Sequence, residues 1–86
     1  MELYQLRSFV AIAEMGQLTR AAEKLHVTQP ALSAQLKALE DELGLALFER
    51  TSSGMVLTTS GKQILASAEK VIAAAQALYS LSLIHI

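Results

Sequence analysis

The stretch Ala21-Ala22-Glu23-Lys24-Leu25-His26-Val27-Thr28-Gln29-Pro30-Ala31-Leu32-Ser33 decides the fold. It reads as a short helix, a tight turn and the start of a second helix. Thr28 suits the N-cap, because its hydroxyl can accept from a backbone N–H left free at a helix start. Gln29 then falls at N1 and Pro30 at N2, where the missing proline N–H has no intrahelical partner to lose. The adjacent Ala21 and Ala22 let another helix backbone come close, as a steep crossing requires. Two helices crossing steeply, the second entered through a cap and a proline, make a helix-turn-helix.

Working outward, the second helix of the pair is expected from Gln29 to Leu43, stopped by Gly44. Leu32, Leu36, Leu39 and Leu43 recur at steps of four, three and four, so they share one narrow buried stripe. At about 100° per residue, Pro30, Ala34 and Asp41 lie opposite that stripe, with Ser33 and Lys37 on one flank. The acids Glu40, Asp41 and Glu42 fall in the C-terminal half, read as a solvated helix end away from any phosphate met by the N-terminal half. The preceding helix is expected over about Thr19 to Leu25, with Val27 in the turn plugging the core. Before it, Leu3, Leu6, Phe9, Val10 and Ala13 mark an amphipathic helix from Leu3 to Met15, stopped by Gly16.

Beyond Gly44 the pattern changes. Leu45 to Arg50 and Met55 to Thr58 flank Thr51-Ser52-Ser53-Gly54, which reads as a β-hairpin wing packed through Phe48 and Leu57. A last helix is expected to start near Thr59 or Ser60, either of which can cap it. Its apolar residues Ile64, Ala68, Val71, Ala75 and Leu78, with Leu65, Ile72 and Tyr79, form a heptad seam sustained for about two heptads. Since the three preceding helices are expected to close their own core, this seam is read as a dimerisation face. The seam breaks at Ser82 and His85. The last six residues, Leu81-Ser82-Leu83-Ile84-His85-Ile86, resemble one reading frame of a transposase mosaic-end adapter. They are expected to be a non-native tail, with the natural sequence departing near Ser80. The fold class is mainly α: a winged helix-turn-helix over residues 1–58, a linker helix over 59–80 and the tail over 81–86.

Composition bounds what such a chain can do. Its 86 residues suffice for one small domain, and a core this small invites help from a partner chain. Apolar residues make up 52% and aromatics only 5%, a balance that favours helices over a sandwich of sheets. Without cysteine there is neither a disulfide framework nor a thiolate metal site. Met1-Glu2-Leu3-Tyr4-Gln5 lacks the features of a signal peptide, and no apolar run looks close to the roughly 20 residues of a membrane span. A soluble cytoplasmic protein with no membrane partner is expected. The net charge of −1 offers no basic excess for nucleic acid, so any such function rests on where the cations sit.

Leu6-Arg7-Ser8-Phe9-Val10, the stretch Ala21 to Ser33, Gln35-Leu36, Leu39-Glu40, Glu42-Leu43-Gly44, Leu47-Phe48-Glu49-Arg50 and Leu57-Thr58 stand in a telling order and spacing. Together they resemble the N-terminal domain of LysR-type transcriptional regulators, over about residues 1–79. The resemblance implies a winged helix-turn-helix that binds double-stranded DNA, and a linker helix that pairs two subunits. In that family a larger effector domain senses a small-molecule co-inducer and completes a tetramer. No cofactor is expected of these 86 residues, because the co-inducer needs that further domain.

Carried over by position, the resemblance makes Gln29, Pro30 and Ser33 the readers of base edges. Glutamine suits a bidentate contact to adenine, and proline can pack on a thymine methyl. Thr28 and Lys37 would touch phosphate, and Arg50 would approach the backbone near the wing. Each has a plainer alternative: Thr28 as a cap only, Pro30 as a helix starter, Gln29 and Ser33 as a solvated polar face, Arg50 in a salt bridge to a glutamate. Two positions depart from the family: Ala34 where arginine is frequent, and Ser52-Ser53 where the wing usually carries a basic residue. Both departures remove phosphate or groove contacts. A rival reading follows, in which a fragment impaired in DNA binding pairs with a full-length regulator. An enzyme is not expected, since His26 has no second ligand or base within helical reach and no phosphate-cradling glycine loop is present.

Overall fold

The computed structural model describes residues 1–84. The elements run α1 (Leu3–Met15), α2 (Leu18–Leu25), α3 (Gln29–Leu43), β1 (Phe48–Thr51), β2 (Gly54–Leu57) and α4 (Thr59–Ile84). His85 and Ile86 of the expected tail lie outside the described residues, and the rest of that tail continues α4.

Local chemistry sets the helix ends. Gly16 and Gly44 adopt left-handed φ values of 72° and 70° and close α1 and α3, as expected. His26 does the same for α2 at φ 57°. The Val27 N–H reaches the Ala22 carbonyl at 3.0 Å and the His26 N–H the Glu23 carbonyl at 3.2 Å, a Schellman closure built without glycine. That reversal turns Val27 outward, where it is 36% exposed. The expectation that Val27 plugs the core is therefore corrected. Leu18, Ala21, Ala22 and the fully buried Leu32 fill that space instead.

The core gathers on α1. Phe9 and Ile12 are fully enclosed, because α1 meets α2 and α3 on one side and α4 on another. Phe9 meets Phe48 edge to face, with centroids 5.5 Å apart. The buried Ser8 hydroxyl donates to Gln35 Oε1 at 2.5 Å, tying α1 to α3. The antiparallel hairpin pairs Phe48 with Leu57 and Thr51 with Gly54, so β1 starts later than the run from Leu45 suggested, and β2 is shifted one residue toward the turn from Met55–Thr58. Leu47, expected on the first strand, precedes it and is fully buried.

Two expectations about α4 change. Its cap is Thr58, one residue earlier than Thr59 or Ser60: the Thr58 Oγ1 accepts from the Gly61 N–H at 2.9 Å and donates to the Ala46 carbonyl at 2.7 Å. The three preceding helices do not close the core alone either. Ala68 is 3% exposed within it, and Ile64, Leu65 and Ile72 pack half-buried against it. Part of the expected dimerisation seam is thus intramolecular. Beyond Ile72 the helix runs on past the core, with Ala75, Gln76 and Tyr79 still bordering a cleft with Leu3 and Arg7 of α1, and the molecule measures 48 × 26 × 20 Å.

The reading of apolar runs is corrected too. Helix α4 has 26 residues with an 18-residue stretch of mean hydropathy 1.2, long and apolar enough by length and composition to cross a membrane. Glu69 and Lys70 interrupt the apolar sequence and make it inconspicuous.

Gly61 lets α4 start against the wing. A Cβ there would lie 2.1 Å from the Leu47 carbonyl oxygen. Gly61→Ala is expected to lower stability by about 1–3 kcal/mol through this overpacking, read as an earlier urea midpoint. An unchanged midpoint would show that the junction yields freely.

Candidate nucleic-acid interface

The start of α3 is presented as the cap predicts. Thr28 Oγ1 accepts from the Ala31 N–H at 3.2 Å, so the capping role is realised. Pro30, Ala34 and Lys37 are exposed along the face away from the leucine stripe, and Gln29 is exposed at the helix start, nearer the stripe's edge. Ser33 is half-buried, because it turns toward the wing and lines a groove with Leu36, Lys37, Glu40, Phe48, Arg50 and Met55. A second cleft, between α2, α3 and the wing, brings Gln29 and Arg50 together with Thr19. Arg50 therefore borders both. It forms no ion pair among the described residues, so the expected alternative of a bridge to a glutamate is not realised.

The wing is fixed by contacts that periodicity cannot show. The Met55 N–H donates to the Gly16 carbonyl at 2.8 Å, and a Cβ on Gly54 would stand 2.4 Å from that same oxygen. Gly54 also adopts φ 122°, so glycine is required there twice over. Ser52 and Ser53 form the exposed tip. Thr51 braces it, its Oγ1 accepting from the Ser53 N–H at 3.2 Å and donating to the Gly54 carbonyl at 3.0 Å.

Thr19 was missed as a site residue. Its hydroxyl donates to Gln29 Oε1 at a long 3.4 Å, and it stands exposed beside Arg20 at the start of α2. A polar pair opening the helix before the turn was the available signal.

The acid run is corrected. Glu40, Asp41 and Glu42 are not merely a solvated end, since each holds a different partner. Glu40 Oε2 accepts from the Leu47 N–H at 2.7 Å, and Glu42 Oε1 lies 2.8 Å from the Met1 ammonium. Asp41 Oδ1 lies 2.9 Å from Lys37 Nζ. Hydrogen bonding to Asp41, reinforced by its charge, holds the Lys37 ammonium above the usual lysine range. Among the described residues no group of acids and histidines is placed to hold a metal ion.

The family description "Bacterial regulatory helix-turn-helix protein, lysR family" matches residues 3–62, from the start of α1 into α4. The chain belongs to the LysR family. It is 50% identical over 60 residues to the HTH-type transcriptional regulator ClcR of Pseudomonas putida, covering 70% of this chain and 20% of ClcR. It thus spans about a fifth of the length of the LysR-type regulators it matches. Among solved structures it is similar to the CbnR_DBD–DNA complex, with TM-score 0.90 and 40% identity over 95% of this chain and 94% of that one. The BenM_DBD/catB site 1 DNA complex matches with TM-score 0.92 and 40% identity over 95% of this chain and 92% of that one. The winged helix-turn-helix fold is that of these LysR-type domains.

Within this LysR-type frame, Glu40 sets the distance between α3 and the wing. Glu40→Ala strips the Leu47 N–H of its acceptor and is expected to cost about 1–3 kcal/mol in denaturant unfolding. Glu40→Gln, whose amide oxygen can still accept, is expected to lose less; equal losses would exclude the hydrogen bond as the cause.

Proposed function

We propose that this chain is the DNA-binding module of a LysR-type transcription regulator, with residues 1–58 reading the duplex and the helix over 59–80 pairing two copies. The observation that carries the reading is a capped, exposed α3 N-terminus on a winged scaffold that superposes on two protein–DNA complexes. Helix α3 enters the major groove by its N-terminal half. Gln29, Pro30 and Ser33 meet base edges, and Ala34 offers a methyl where a thymine methyl can pack. Thr28, Lys37 and Arg50 contact phosphate, and Ser52 and Ser53 bring the wing tip to the backbone. Such a module works on chromosomal DNA in the cytoplasm, by binding and not by catalysis.

The pairing surface is the part of α4 that the domain leaves uncovered. Val71, Leu78 and Tyr79 are 48%, 69% and 66% exposed, and Ala75 lies half-buried between them. Two copies related by a two-fold axis would present two α3 helices to successive major grooves.

Binding-site selection followed by gel shifts against salt tests the reading. Recovery of one preferred sequence, with affinity falling as salt rises, supports it; no binding at low salt leaves an interaction fragment impaired in DNA binding. Gln29→Ala is expected to relax preference at one base pair by about 1–3 kcal/mol, whereas equal weakening on every sequence would remove its base-reading role. Leu78→Asp is expected to abolish the concentration-dependent self-association read by sedimentation and to weaken binding to the selected site. A dimer that survives it would move the pairing surface elsewhere.

A further inference from the structure

We propose that Asp41 governs the strength and salt dependence of DNA binding by competing with backbone phosphate for the Lys37 ammonium. The proposal rests on the DNA-binding reading above and concerns a residue that reading leaves without a role.

The geometry singles Asp41 out. Projected down α3 at about 100° per residue, Pro30, Ala34, Lys37 and Asp41 fall within one sector of roughly 60°. That sector is the outward face. Of the three consecutive acids, Glu40 is turned to the Leu47 N–H and Glu42 to the Met1 ammonium. Asp41 alone reaches back along the outward face, 2.9 Å from Lys37 Nζ, with the two side chains 64% and 73% exposed. The acid therefore meets the one lysine of α3, inside the surface assigned to the duplex.

The pair is built to be displaced. Lysine four residues before an acid is the weaker order on a helix, and the carboxylate lies toward the end where the helix dipole disfavours negative charge. Both groups stay in water, so an incoming phosphate meets little desolvation barrier. A lysine already neutralised by a carboxylate releases fewer condensed counterions from the duplex, so it contributes less than one full charge to the salt dependence. Lys37 shares its groove with Glu40, which holds the Leu47 N–H, and with Arg50, which forms no ion pair among the described residues. Asp41 thereby decides whether that groove offers phosphate two full cations or little more than one.

The test uses the whole chain and the duplex recovered by selection, with affinities measured from about 50 to 200 mM salt. Asp41→Asn is expected to bind more tightly at low salt and to steepen the slope of log affinity against log salt by about 0.9. Its advantage over the unsubstituted chain would then shrink roughly three- to fourfold across that range. In a Lys37→Ala background the same substitution is expected to leave the slope unchanged. An unaltered slope for Asp41→Asn, or equal steepening without Lys37, overturns the proposal and leaves the DNA-binding reading standing. An unsubstituted chain that binds no duplex at low salt overturns both.

Discussion

Three elements of this domain meet at one residue that belongs to none of them. Leu47 lies between α3 and β1 with its side chain fully buried, a burial worth about 1.5–3 kcal/mol. Its N–H is held by the Glu40 carboxylate from α3, and its carbonyl accepts from the Thr58 N–H at 3.0 Å, at the start of α4. Either polar group, left unpaired here, would cost about as much as the side chain contributes. The backbone of α4 can come this near only because Gly61 has no side chain. The angle between recognition helix and wing, and the direction in which α4 leaves, follow from this junction.

How much of this was legible depends on the range of the interaction. Helices α1 and α3 could be read with their ends, because Gly16, Gly44 and the Thr28 cap act within a turn of the chain. The leucine stripe on α3 likewise fixed its outward face, and with it the exposed Pro30 and Ala34. What escaped was non-local. Leu47 sits in an apolar run that looks like strand, and only the Glu40 and Thr58 contacts mark it as a plug. Val27 looks like core until the left-handed His26 turns it away. Thr58 ends one hydrophobic run as readily as it caps the next helix. The Lys37–Asp41 pair is different, since its four-residue spacing was visible. Treating the three acids as one charged end concealed that they point three ways.

That divergence bears on how the net charge of a nearly neutral chain is distributed. A net charge of −1 counts every acid as though it faced the duplex. Glu40 is occupied inside the fold, Glu42 is held by the amino terminus, and Glu14 is paired with Lys24 at 2.7 Å, away from α3. Among the described residues Arg50 has no ion-pair partner at the wing, and Arg20 stands exposed at the opening of α2. The acids nearest Lys37 are Asp41, which pairs with it, and Glu40, which shares its groove.

Helix α4 divides its apolar residues between two tasks, and the division limits both. Ala68 is small enough for α4 to lie close on α1, and Ile64, Leu65 and Ile72 cover the core from the same side. These residues are committed to the monomer's fold. Only Val71, Ala75, Leu78 and Tyr79 of the seam are left for a second copy. A heptad seam becomes dependable over three to four repeats, and this remainder is shorter. In the proposed dimer such a seam holds two copies weakly by itself, and a two-fold DNA site adds to it by binding both at once. Each module then gains effective concentration from the other's contact with the duplex, so modest protein pairing and modest phosphate attraction reinforce each other. The weakness of each term makes occupancy depend on both half-sites being correct.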